Sequence, residues 1–128
     1  MHSAVIPALK LSFDAIFYYA QDMERSVAFY RDTLGLPLIS RDFVTRFDID
    51  GVLFELVPAP HGRAVSGSGN ARLCLQAQDI RDAVAHLKSR GVETSEVKAE
   101  PEGLLAFFKD PDGNELCLWQ YLKGPRKT

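Results

Sequence analysis

Side chains that could bind a metal ion or attack a substrate are few in this sequence and widely separated. The histidines are His2, His61 and His86, and the cysteines are Cys74 and Cys117. His2 lies near the N-terminus, His61 in a segment rich in Pro, Gly and Ser, and His86 on the polar side of a predicted helix. Two cysteines are too few for a disulfide scaffold, so reduced thiols are expected. Any chemistry depends on which residues the fold brings together.

A repeated pattern predicts the elements that position these residues. The sequence AQDMERSVAFY begins at Ala20, and the similar sequence AQDIRDAVAHL begins at Ala77. Each copy contains an Asp that can cap a helix, then apolar residues at helical spacing, and ends near a glycine. These caps and glycines are Asp22, Gly35, Asp79 and Gly91. A strand-like run precedes each copy, at residues 11–19 and 71–76. A chance match between two capped helices is the alternative interpretation.

Antiparallel strands are predicted after each helix. Residues 42–49 and 52–57 flank an Asp-Gly dipeptide, which tight hairpin turns prefer. Residues 104–108 and 115–119 flank the turn sequence DPDGN, in which Pro and Gly set the backbone torsions. Each half is then one strand, one helix and three more strands. The predicted fold class is α+β, with two βαβββ repeats. Because a helix covers only one face of each curved, mixed sheet, the uncovered faces should enclose a concave cup.

These elements divide the chain into segments that together form one domain. The first module covers residues 11–57 and the second residues 70–121, with an N-terminal tail (1–10), a linker (58–69) and a C-terminal tail (122–128). The formal net charge is −2 and the longest basic run is short, which argues against a nucleic-acid partner. No apolar run approaches the ~18 residues of a membrane span, and no export signal is recognisable, so we expect a cytoplasmic protein.

Two segments resemble the vicinal oxygen chelate superfamily, which contains glyoxalase I, the bleomycin resistance proteins, fosfomycin resistance enzymes and extradiol dioxygenases. They are MERSVAFYRDTLGL, which begins at Met23, and FKDPDGNEL, which begins at Phe108. The resemblance extends from about residue 11 to residue 120. It implies the fold described above, but it says less about activity, because one fold can host unrelated chemistries.

The resemblance also implies where a metal would be bound. Enzymes of this superfamily usually hold a divalent cation with His, Glu or Gln from the first and last strand of each module. The corresponding positions are Ala15, Glu55, Arg72 and Cys117. Ala15 has no donor atom and the guanidinium of Arg72 is a cation without a lone pair. We therefore expect no metal ligands and no cofactor.

The residues that line the cup follow from the same positions, because side chains alternate along a strand. The expected ligand-binding residues are Phe17, Tyr19, Leu53, Glu55, Arg72, Cys74, Gln76, Cys117 and Trp119. Their neighbours, expected under the helices, are Ile16, Tyr18, Leu73, Leu75, Leu116 and Leu118. Glu55 and Arg72 either form a structural ion pair or orient a ligand. The aromatic residues form either a binding wall or ordinary core.

The leading hypothesis is a metal-free protein that binds a small planar or aromatic molecule, including an anionic one, in the cup. No catalytic residue is predicted, although a nearby cation could activate Cys117. The alternative is a metal-dependent lyase or dioxygenase of the superfamily with a shifted ligand set, Glu55, Glu115 and Cys117. A third possibility is a dimer whose cup is filled by side chains. Related proteins commonly dimerise, so a homodimer is expected, with the cup formed within one chain or across two.

Overall fold

The computed structural model describes residues 10, 14–59 and 72–124. Eight strands in these residues form two four-stranded sheets. His2, His61, most of the predicted linker and the last four residues lie outside the described residues. Within the described ranges, no helix is long and apolar enough to cross a membrane.

The first module is a β-strand followed by a helix and three strands. Its elements are β1 (Ile16–Ala20), α1 (Met23–Ala28), a π-helical segment (Phe29–Thr33), β2 (Leu38–Arg41), β3 (Thr45–Ile49) and β4 (Val52–Pro58). The predicted cap is confirmed, since the Asp22 carboxylate accepts from the backbone N–H of Arg25 at 3.1 Å. The helix does not stay α-helical to its end. The N–H of Leu34 donates to the carbonyl of Phe29 at 3.0 Å, five residues back, which is the π-helical pattern.

The second module repeats this order. Its elements are β5 (Leu73–Gln76), α2 (Ile80–Ser89), β6 (Lys98–Glu100), β7 (Gly103–Lys109) and β8 (Glu115–Tyr121). Asp79 caps α2 by accepting from the N–H of Asp82 at 3.1 Å. The sheet orders are β1-β4-β3-β2 and β5-β8-β7-β6, with the first strand of each module parallel to the last. The predicted pair of βαβββ repeats is confirmed.

The hairpin of the first module also forms where the sequence predicts it. Asp50 and Gly51 have positive φ angles of 52° and 85°, as a tight turn between two strands requires. The first strand of this hairpin is shorter than predicted. The Asp42 carboxylate accepts from the N–H of Val44 at 3.0 Å, which turns the chain before the strand begins at Thr45.

One apolar core is shared by the two modules. Tyr30, Phe47 and Phe54 of the first module and Ile80 and Leu116 of the second have no exposed surface. The predicted set under the helices is confirmed, with three members buried and three partly buried against the core. These six residues are Ile16, Tyr18, Leu73, Leu75, Leu116 and Leu118.

A buried hydrogen-bond network joins the modules at the two segments that carry the family resemblance. The hydroxyl of Tyr30 donates to the Asp110 carboxylate at 2.9 Å. Asp110 also accepts from the backbone and side-chain N–H groups of Asn114 and from the N–H of Asp112. Ser26 donates its hydroxyl to the Asp112 carboxylate at 3.0 Å. Burial raises the pKa of Asp110, and these donors oppose that rise by stabilising its charged form.

Replacing Tyr30 with Phe removes one donor from the buried Asp110 carboxylate. We expect the free energy of unfolding to fall by about 1–3 kcal/mol, the usual cost of a buried polar group that loses its partner. Tyr19→Phe is the matched control, because the Tyr19 side chain is 40% exposed, and its effect should stay within about 0.5 kcal/mol. Urea unfolding followed by circular dichroism measures both, and equal losses would contradict the network's role.

Candidate functional site

The uncovered face of the first sheet presents two aromatic side chains. Phe17 and Tyr19 are 49% and 40% exposed, although both are large enough to favour burial. Their ring centroids are 5.4 Å apart in an edge-to-face arrangement. Phe17 is the register partner of Glu55 on β4. These residues lie on one face, as the alternation predicts.

Glu55 is paired within its own sheet. Arg46 lies opposite Glu55 in the β3–β4 hairpin, and its Nε donates to the Glu55 carboxylate at 3.1 Å. Arg46 also contacts the Asp42 carboxylate at 3.2 Å. The charge of Glu55 is therefore balanced by a neighbouring strand, and no residue of the second module is needed for that.

The uncovered face of the second sheet carries a second ion pair and both cysteines. The Nε of Arg72 donates to the Glu115 carboxylate at 2.7 Å, with each side chain about 30% exposed. Cys74 and Cys117 are register partners on β5 and β8, and one step further along Gln76 and Trp119 are also partners. The residues of this module's predicted set are Arg72, Cys74, Gln76, Cys117 and Trp119, and the two strands bring them together.

Of the two alternatives for Glu55 and Arg72, the ion pair between them is not formed among the described residues. In the described part of the chain, Glu55 is bonded to Arg46, and Arg72 is bonded to Glu115. In the first sheet the reason is register, because Arg46 lies opposite Glu55. In the second sheet Arg72 directly precedes β5, beside Glu115 at the start of β8.

The Trp119 ring packs closely against Gly103, which has no side chain. A Cβ on Gly103 would lie 2.5 Å from Cζ2 of the Trp119 ring, which no side chain can tolerate. Trp119 also contacts the ring of Tyr121, with centroids 5.7 Å apart and an edge-to-face geometry. The tryptophan ring therefore lies close to the backbone of β7, where a side chain on this strand would displace it.

Burial disfavours the thiolate form of Cys117. Burial raises its pKa to about 12, and interaction with the Cys74 thiol adds to the rise. Arg72 opposes this and Glu115 supports it. The activation of Cys117 by a nearby cation, which the sequence left open, is therefore outweighed by burial. Cys74 is exposed, whereas Cys117 is buried.

The donor groups of this site do not fit a divalent metal. No group of three or more His, Cys, Asp or Glu side chains in the described residues could hold an ion. The shifted set Glu55, Glu115 and Cys117 does not form such a group in the described part of the chain. Each of its carboxylates is bonded to an arginine, which would compete with a cation for the same oxygen atoms.

The two modules are joined on the side of the sheets that the helices cover. Phe29 and Phe108 are in ring contact across the modules, with centroids 6.3 Å apart. The Tyr18 hydroxyl accepts from the N–H of Leu73 at 2.9 Å, which links β1 to β5. Each uncovered face therefore points away from this shared core. A groove of about 1230 Å³ between the modules is lined by three of the nine predicted ligand-binding residues, Cys74, Gln76 and Trp119.

Sequence reasoning missed Arg46 and Gly103. Counting outward from the turn at Asp50 and Gly51 places Arg46 opposite Glu55, so the register carried enough information to find this pair. Gly103 gave no comparable signal, because its role depends on the position of the Trp119 ring in three dimensions.

A family model and one curated protein match most of this chain. The Glyoxalase/Bleomycin resistance protein/Dioxygenase superfamily model matches residues 12–118. The uncharacterised protein YaeR of Escherichia coli K12 is 31% identical over 116 residues, covering 79% of this chain and 89% of YaeR.

Solved structures give the same result. TnmS3, an antibiotic binding protein from Streptomyces sp. CB03234, superposes with a TM-score of 0.70 at 26% identity, covering 89% of this chain and 99% of TnmS3. The fosfomycin resistance protein FosX from Listeria monocytogenes has a TM-score of 0.73 at 18% identity, covering 90% of this chain and 98% of FosX. The likeness to FosX concerns the fold alone.

Iodoacetamide near neutral pH should modify Cys74 and spare Cys117 in the folded protein. Only Cys74 is exposed, and a thiol with a pKa of about 12 supplies very little reactive thiolate. Peptide mapping by mass spectrometry measures the extent of modification at each residue. The same reaction in urea, where both should react, controls for peptide recovery. Similar rates at the two thiols of the folded chain would contradict the description of Cys117.

Proposed function

The chain belongs to the glyoxalase/bleomycin resistance protein/dioxygenase superfamily, and from that premise we propose that it binds a small planar or aromatic molecule without a metal ion. The observation that carries this proposal is the exposure of Phe17 and Tyr19, 49% and 40%, on a sheet face that also holds an ion pair. Exposed aromatic rings on a concave surface offer a ligand apolar area at little cost in side-chain entropy. The antibiotic-binding relative TnmS3 supports the same class of function.

The second sheet adds the groups that would orient the ligand. Trp119 supplies a large aromatic surface, and its ring packs against β7 at Gly103, where an added Cβ would clash with it. Arg72 supplies a planar guanidinium that matches the geometry of a carboxylate or phosphate. Its Nε donates to the Glu115 carboxylate at 2.7 Å. A ligand with an anionic group and a flat apolar body suits this combination.

We infer that a second copy of the chain completes the cup. The modules are joined on their helix-covered side, so one chain leaves the Phe17 face and the Trp119 face as separate surfaces. In a twofold dimer, the first-module face of one copy would cover the second-module face of the other. The same contact occurs twice, which buries both faces and forms two equal cups.

Binding alone needs no group that activates a substrate, which agrees with the donor chemistry of the site. A sequestering protein needs affinity and no complementarity to a transition state. A cytoplasmic location and the lack of a nucleic-acid partner stay predictions from the composition of the sequence.

Arg72→Ala should weaken the binding of aromatic carboxylates such as naphthoate by about 1.5–3 kcal/mol, because a charge-assisted hydrogen bond is lost. Glu115→Gln should leave binding unchanged or tighten it, since it removes the carboxylate that competes with the ligand for Arg72. Arg81→Ala, on the exposed surface of α2, is the matched control.

Titration of Trp119 fluorescence measures the affinity, because Trp119 is the one tryptophan of the chain. The neutral amide of the same aromatic acid should bind the native protein and Arg72→Ala equally. If Arg72→Ala weakens the binding of the acid and of the amide equally, the arginine maintains the structure of the site and does not bind the anionic group of the ligand. No binding of any aromatic compound to the native protein would overturn the proposed function.

A further inference from the structure

Both cysteines of the chain meet at one position in the second sheet. Cys74 on β5 and Cys117 on β8 are direct register partners in a parallel strand pair. The residues before and after each of them, Leu73 and Leu75 on β5, Leu116 and Leu118 on β8, pack toward the core. The two thiols therefore leave adjacent strands on the same, uncovered face.

The spacing of adjacent strands brings such a pair within range of a disulfide. Neighbouring strands lie about 4.7–4.9 Å apart, and the Cα atoms of disulfide-bonded cysteines are usually about 4.4–6.8 Å apart. The thiols already interact, since Cys74 is among the causes that raise the pKa of Cys117. Both are in the free state in the described structure.

We propose that Cys74 and Cys117 form an oxidisable dithiol, which a hydroperoxide converts to an intramolecular disulfide between β5 and β8. Their exposures assign different roles to the two residues. Cys74 is exposed and meets the oxidant first. Cys117 is buried beside it, where it is protected from the solvent and reacts with Cys74.

The reaction balances in two steps. The thiolate of Cys74 attacks one oxygen of the hydroperoxide, the O–O bond breaks, and the alcohol leaves, so Cys74 becomes a sulfenic acid. Cys117 then gives up its proton and attacks the Cys74 sulfur, and the hydroxyl leaves as water. The two thiols have lost two electrons and two protons, and the hydroperoxide has been reduced to an alcohol and water.

The resulting disulfide should be easily reversed. The Cα atoms of disulfide-bonded cysteines are most often about 5.5–6 Å apart, which is wider than the spacing of about 4.7–4.9 Å between neighbouring strands. Closing the bond therefore strains the pairing of β5 with β8, and a strained disulfide is reduced more readily than a structural one. A reversible bond of this kind is suited to sensing an oxidant, and it does little to stabilise the fold.

The position of the dithiol connects it to the candidate binding face. Arg72 lies two residues before Cys74, and Trp119 lies two residues after Cys117, on the same face of the sheet. A change in the spacing of the two strands would change the distance between these two side chains. An effect of oxidation on ligand affinity rests on the proposed binding function, whereas formation of the disulfide does not.

The test is a titration of the full-length protein with tert-butyl hydroperoxide. In the native chain we expect both free thiols to disappear together, the mass to fall by two hydrogen atoms, and dithiothreitol to restore both. The product should run as a single chain on a non-reducing denaturing gel. Trp119 fluorescence should change with the same dose dependence as thiol loss.

Two variants make the result specific. Cys74→Ser and Cys117→Ala each leave one thiol, so neither should show the loss of two hydrogens, and any oxidation should appear as added oxygen. A native chain that forms disulfide-linked dimers through Cys74, gains oxygen without forming a disulfide, or keeps both thiols would overturn the proposal. The oxidised chain is then titrated with naphthoate, and this second result leaves the conclusion about the disulfide unaffected.

Discussion

The buried network around Asp110 is the constraint on which the rest of this structure depends. It joins Tyr30 of the first module to the turn between β7 and β8 of the second, and the aromatic residues around it belong to one shared core. A buried carboxylate is costly unless several donors reach it, and here Tyr30, Asp112 and Asn114 supply them. The donors of Asp110 therefore bring together the two segments most typical of the superfamily, which are distant in sequence. The same contacts join the two sheets on the sides that the helices cover.

Because the modules pack through their helix-covered sides, the other side of each sheet is available for binding. The first sheet exposes Phe17 and Tyr19, and the second holds Trp119 beside Arg72. Each sheet balances its own charges, through Arg46 with Glu55 and through Arg72 with Glu115. Each face therefore combines aromatic side chains with an ion pair.

The sequence determined most of the fold and less of the site. Caps at Asp22 and Asp79 and the turn at Asp50 and Gly51 are local signals, which is why the order of the elements matches the prediction. Alternation along strands also identified the side chains that pack under the helices. The partner of Glu55 was not identified from the sequence, because the superfamily positions associate Glu55 with Arg72, whereas Arg46 is its register partner. The high pKa of Cys117 and the contact of Trp119 with Gly103 depend on packing across strands, and no local pattern encodes them.

We propose that one binding cup needs the first module of one chain and the second module of another. Mixing two variants, each damaged on one face, tests this proposal. Phe17→Ala damages the first-module face and Arg72→Ala the second-module face, so each variant alone should bind naphthoate weakly. After denaturation and refolding together, every mixed dimer should contain one cup built from two undamaged faces, and native affinity should return in that fraction. If the cup is formed within a single chain, the mixture will bind no better than the average of the two variants, and that result would contradict this account.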